Sequence, residues 1–173
     1  FLLDSELPLT GFSGTEPLSG AASVSYRPTG LMLQIPSLDL AADLVTVTPD
    51  ADGTYPVSQL GNDAGLLAGS ALPGDGVSVI AAHNTLNAEE YGPFALIASM
   101  DEGDRFFIRT ADGSLQTYEV YANVTVGSHD GQLLSGLANA YDATVTLLTC
   151  EDELPEGGYA SRRLVAARQV PAK

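Results

Sequence analysis

From Gly30 onward the chain alternates short apolar runs with turn residues. Leu31–Ile35 reads as a first strand closed by Pro36. Leu44–Thr48 reads as a second, closed by Pro49 and the turn Asp50-Ala51-Asp52-Gly53. Val77–Ala82 is apolar except for Ser78, as expected of a largely buried strand. Arg105–Thr110 and Leu115–Val126 are rich in aromatic and β-branched residues and flank Ala111-Asp112-Gly113-Ser114, which predicts a hairpin. Thr144–Thr149 and Arg162–Val170 predict two further strands, while only Pro93–Met100 and Gln132–Ala140 carry enough helical pattern for short helices. The fold class is therefore mainly β with one or two short helices. Many short strands between turns favour a closed or nearly closed barrel, which leaves few exposed edges. Residues 1–28 differ. Pro8, Gly11, Gly14, Pro17, Gly20 and Pro28 punctuate them without an apolar period, so they read as a flexible N-terminal arm ahead of a domain over 29–173.

Composition narrows the function. The 173 residues fit one domain, and 22 acidic against 7 basic residues leave a net charge of −15. Nucleic acid is a poor partner for such a chain, because phosphate binding needs a basic face. A single cysteine excludes a disulfide within the chain and any zinc site built from two or more cysteines. No apolar run approaches the roughly 20 residues that span a bilayer. The chain starts at Phe1 rather than Met, so a preceding segment carrying an anchor or signal is expected to have been removed.

That one thiol has a telling position. Cys150 ends the strand Thr144–Thr149 and precedes a polar loop containing Glu151, Asp152, Glu153 and Glu156. Strand ends facing loops are where scaffolds place reactive groups, whereas a core cysteine more often sits mid-strand. Its acidic neighbours disfavour the thiolate, so activation requires positive partners brought close by the fold. His83, followed by Asn84, also ends an apolar strand; His129 lies in the turn-like Gly127-Ser128-His129-Asp130-Gly131. Arg162, Arg163 and Arg168 lie on the strand after the Cys150 loop, with Arg162 and Arg168 on one face by alternation and Arg163 on the other. Spacing alone leaves open which of them approaches Cys150.

These residues carry a resemblance. Thr146-Leu147-Leu148-Thr149-Cys150 resembles the TLxTC signature of the sortases, the cysteine transpeptidases of Gram-positive cell surfaces. The strand ending Ala82-His83-Asn84 is similar to the sortase histidine strand, and Leu33-Gln34-Ile35-Pro36-Ser37-Leu38 to the family's early strand with its Ile-Pro turn. Arg163-Leu164-Val165-Ala166-Ala167 resembles the strand opened by the active-site arginine, which selects Arg163. The match runs in order from about residue 30 to 170.

The resemblance implies an eight-stranded β-barrel that cleaves an LPxTG-type sorting signal between Thr and Gly and passes the acyl group to an amine. By similarity Cys150 is the nucleophile, His83 the general acid/base and Arg163 the oxyanion or substrate-positioning group, with Thr149 and Asn84 expected to contact substrate. Implied partners are sorting-signal proteins and an amine acceptor, either a lipid-linked peptidoglycan precursor or a pilin lysine. The implied location is the outer face of the cell membrane, through an N-terminal anchor absent from this chain. No cofactor is implied; the acidic stretches Glu151–Glu156 and Asp101–Asp104 could serve calcium but read more simply as solvated loops. The Asp-Pro-aromatic lid motif of pilus-polymerising members is missing from residues 1–30. The arm holds Leu7-Pro8-Leu9-Thr10-Gly11, itself a sorting-signal pattern, which reads either as a pseudo-substrate covering Cys150, in cis or from a neighbouring molecule, or as a coincidental match in a flexible linker. Two alternatives remain beside this reading: another cell-wall cysteine transpeptidase, whose usual S-H-G-x-x-x-x-C context His83 lacks, and a non-catalytic β-barrel binding module with a buried cysteine.

Overall fold

The computed structural model describes residues 26–127, 130–153 and 159–172. The arm residues 7–11, His129 and Glu156 lie outside the described residues. Eight strands close a barrel in the order β1(Arg27–Ile35), β2(Leu40–Val47), β3(Ala64–Leu67), β4(Val77–Ala81), β9(Thr144–Glu153), β10(Tyr159–Val170), β8(Leu115–Gly127), β7(Arg105–Arg109). A small hairpin of β5(Thr85–Asn87) and β6(Glu90–Tyr91) stands apart, and one helix, α1(Gly131–Ala138), precedes β9. Arg27 and Pro28 belong to the barrel strand rather than to the arm.

Alternation along the strands builds two apolar layers. Leu33, Leu44, Leu66, Ile80, Phe106, Tyr118, Leu147 and Val165, one from each barrel strand, fill the interior. The outer faces of β4, β9 and β10 carry Val79, Ala81, Leu148, Cys150 and Leu164, which pack beneath Tyr55, Val57 and Leu60 of the β2–β3 connection. Both faces of β9 are thus covered from Val145 to Cys150, which explains why Val145, Leu147 and Leu148 are all buried. Truncating Leu147, fully buried, to Ala would cost about 2–5 kcal/mol through the cavity left behind.

Three features escape the sequence pattern. Pro93–Met100 is no helix of two or three turns; only Ile97–Ser99 forms a 3-10 turn. Phe94, Ile97 and Met100 sit three apart because they plug the barrel interior. The Asn123 carboxamide supplies donors to the carbonyls of Ile97, Ala98 and Met100, at 3.1, 3.2 and 2.7 Å, in place of helical N–H groups. β3 is four residues long and pairs in parallel with β2, so neither length nor hairpin chemistry announces it. The β5–β6 hairpin is shorter still.

Candidate active site

β4 and β9 run parallel, with Ala81 opposite Leu148, so both strands run toward the same side of the barrel. Ala82 N–H donates to the Leu148 carbonyl at 3.2 Å and carries the pairing one step further. His83 follows two residues beyond the end of β4, whereas Cys150 lies within β9, because pairing with β10 carries that strand on to Glu153 instead of letting it end at Thr149. Ala81 and Leu148 both belong to the outer layer, and the alternation of side chains returns His83 and Cys150 to that same face. A link distant in sequence is therefore short in space because two strands pair in parallel.

β10 completes the site. Its antiparallel register on β9 places Arg162 opposite Cys150 and Arg163 opposite Thr149. Directly opposed residues share a face, with Cβ atoms roughly 4.5–5.5 Å apart. Arg162 therefore flanks the thiol, and its positive charge acts on the thiol to favour the thiolate. Arg163 does not join the group. It turns to the opposite side, where Nε and Nη2 bind Glu151 Oε1 at 3.0 and 2.8 Å and Nη1 donates to Asn123 Oδ1 at 3.2 Å. The arginine that faces Cys150 is thus Arg162, a correction to Arg163 with a simple cause. Pairing Glu153 with Tyr159 forces Cys150 opposite Arg162. The sequence held the signal: Glu156, amid the turn residues Pro155, Gly157 and Gly158, lies six positions from each.

Burial sets the electrostatics. Cys150 is only 2% exposed, and burial pushes its thiol up to about 12 against the opposing pull of Arg162. Half-buried His83 is shifted down, chiefly by burial, while backbone contacts with Ser58 and Val57 favour its charged form. The resting pair is a neutral thiol and a neutral imidazole.

Thr149 and Asn84, the expected substrate contacts, are both hydrogen-bonded within the chain. Thr149 is buried on the face opposite the thiol, and its hydroxyl donates to the Ala82 carbonyl at 2.8 Å. Asn84 Nδ2 donates to the Cys150 carbonyl at 3.0 Å. Together they tie the His83 end of β4 to the Cys150 stretch of β9. Nothing in the sequence pattern marks Gly92, yet its N–H donates to the Asn84 carbonyl at 2.8 Å, and a Cβ there would lie 2.3 Å from the His83 carbonyl oxygen. Only glycine allows the returning hairpin to rest on His83. Of the acidic stretches, Glu151 pairs with Arg163, and Asp104 accepts the Asp101 N–H at 2.9 Å.

A closed barrel that carries thiol, imidazole and guanidinium on one face of three adjacent strands, β4, β9 and β10, is a layout suited to cysteine-type acyl transfer. The sortase domain profile matches residues 33–170, and the chain belongs to the sortase family. Among solved structures it is similar to sortase A from Corynebacterium diphtheriae, in a lid mutant, with 26% identity and a TM-score of 0.66 over 87% of this chain and 74% of that one. Sortase C from Streptococcus pneumoniae shares 27% identity at a TM-score of 0.62, over 82% of this chain and 66% of that one. Sortase C-1 from Actinomyces oris shares the fold at 24% identity and a TM-score of 0.63, over 82% and 73%. No curated protein matches the chain. Relatives of both the A and C classes leave the subclass open. The family consists of cysteine transpeptidases of the Gram-positive cell surface; among the described residues no helix is long and apolar enough to cross a membrane.

Proposed function

We propose that the chain is a sortase transpeptidase that cleaves an LPxTG-type peptide between Thr and Gly. The observation that carries this reading is the alignment of His83, Cys150 and Arg162 on one outer face of three neighbouring strands. Cys150 Sγ attacks the threonine carbonyl carbon while His83 takes the thiol proton. Arg162 balances the oxyanion of the tetrahedral intermediate. Collapse breaks the C–N bond, and His83 returns its proton to the departing glycine amine, leaving a thioester on Cys150. An incoming amine gives a proton to His83, attacks the thioester and releases the thiol, which regains that proton. Asn84 and Thr149 act by holding the two strands together.

The acceptor is an amine of a lipid-linked peptidoglycan precursor or a pilin lysine, and the place of work is the outer face of the membrane. The segment Leu7-Pro8-Leu9-Thr10-Gly11 acts as a pseudo-substrate, on the strength of its match to the sorting pattern. Pro8→Ala with Thr10→Ala should then raise kcat/KM for an external peptide; equal values would remove that role. The central reading is tested by mass spectrometry after incubation with a panel of sorting peptides. An acyl adduct on Cys150, absent in Cys150→Ala, is expected. No adduct across the panel would return the chain to the alternative its 2% exposure favours, a binding barrel with a buried cysteine.

A further inference from the structure

Two adjacent arginines on β10 face opposite ways, and the one turned from the thiol is the more heavily bound. Arg163 grips Glu151 Oε1 through two nitrogens, and Thr125 Oγ1 donates to the other carboxylate oxygen at 2.8 Å. Its remaining Nη1 holds Asn123 Oδ1, which leaves the Asn123 amide aimed at the carbonyls of Ile97, Ala98 and Met100. The segment so capped begins at Phe94, whose N–H donates to the His83 carbonyl at 2.9 Å. A chain of contacts therefore runs from the residue after Cys150, through Arg163 and Asn123, to the backbone of His83.

We propose that Arg163 is a positioning residue that, through Glu151 and Asn123, holds the Cys150 stretch of β9 and the His83 segment in one fixed relation. It works from the side of the sheet away from the reacting atoms. Fixing the amide oxygen of Asn123 decides which way the carboxamide points and so keeps its donors on the Ile97–Met100 carbonyls. Pairing with Glu151 also neutralises the carboxylate nearest the thiol in sequence. For the proposed chemistry this matters because a displacement of about 1 Å between nucleophile and base can cost on the order of a hundredfold in rate.

This inference rests on the transpeptidase reading for its kinetic readout but not for its structural one. In the full chain, Arg163→Gln and Asn123→Ala are each expected to lower kcat for a sorting peptide about tenfold with KM within about twofold, and the double variant to be no worse than either, as for residues acting as a unit. Arg163→Lys, which keeps the charge, should recover part of kcat and stands in should Arg163→Gln not fold. Hydrogen exchange at the Phe94 and Met100 amides, both hydrogen-bonded in this segment, should quicken about tenfold in the same variants. Unchanged exchange and unchanged kcat overturn the proposal. So does a kcat loss that multiplies with Asn123→Ala, because Arg163 would then act on substrate independently. Wild-type protein that forms no acyl adduct sinks the transpeptidase reading instead and leaves the exchange experiment to decide this one.

Discussion

The two faces of the β9–β10 pair carry nearly the same chemistry to opposite ends. On one face Arg163, Glu151, Thr125 and Asn123 satisfy one another, with an ion pair of 2.8 Å and every strong donor directed to an acceptor. On the other, Cys150 is buried among Val57, Val126, Leu148 and Leu164, and Arg162 donates only to the carbonyls of Tyr159 and Ser161 among the contacts described. The satisfied face holds the strands in place. The other keeps a thiol shifted up and an imidazole shifted down by burial, so both favour their neutral forms and the thiolate depends on the nearby positive charge of Arg162. One residue of register separates a brace from a reactive group, and residue type does not distinguish them.

The largest effect should come from pH on the reactive face. A thiol raised to about 12 should alkylate about tenfold faster per unit from pH 7 to 10, because only the thiolate reacts, with no plateau. A plateau near pH 8.5–9, the range of a free thiol, would show that burial does not control Cys150. Stability carries the matching sign. The folded state keeps this proton where the unfolded chain loses it, so folding weakens as pH rises above the ordinary thiol range. At the acid end His83, shifted down, makes folding weaken as pH falls below about 6.5.

The direct comparison of the two arginines comes next. Arg162→Gln should lower kcat by about 10²–10³, the usual loss when an oxyanion partner is removed, against about tenfold for Arg163→Gln. It should also slow Cys150 alkylation at every pH, because the charge opposing burial is gone. Steady-state kinetics on both variants check this, and the reverse order would invert the assignment of faces. Gly92→Ala follows, with a kcat loss of about a hundredfold and a lower Tm, since the new Cβ would sit 2.3 Å from the His83 oxygen and 2.6 Å from its Cβ. Gly113→Ala is the control. Its φ of +86° makes it strained too, but nothing lies within 4 Å, so about 1 kcal/mol of stability and no activity should be lost.

Most of the barrel could be read from the chain because alternation and turn chemistry are local. The Arg105–Thr110 and Leu115–Val126 hairpin emerges as β7 and β8, and the Thr144–Thr149 run as the first part of β9. Parallel pairings were invisible, since nothing local marks Ala81 as the partner of Leu148. His83 beyond β4 fits the expectation of a titratable group at a strand end, whereas Cys150 sits inside β9, and the parallel pairing of the two strands, which no local pattern marks, is what relates them. The resemblance points to Arg163 through the apolar run after it, whereas register across the β9–β10 hairpin decides which arginine shares the thiol's face. Pro93–Met100 looked helical because a plug residue every third position imitates a helix face.

The smallest effect tests the brace without touching any charge. Thr149 lies on the satisfied face, yet its hydroxyl reaches the Ala82 carbonyl one residue before His83. Thr149→Val keeps shape and volume and removes only that donor, leaving a buried carbonyl short of a partner. The expected cost is about 1–3 kcal/mol of stability, read from denaturant midpoints at unchanged slope. Activity should fall only a few-fold, because Asn84 still binds the Cys150 carbonyl and the parallel pairing of β4 with β9 persists. A loss of kcat as large as that of Arg162→Gln would place Thr149 among the groups that touch substrate. It would also mean that the faces of β9 do not divide the labour, since a hydroxyl pointing away from the thiol would then be acting on it.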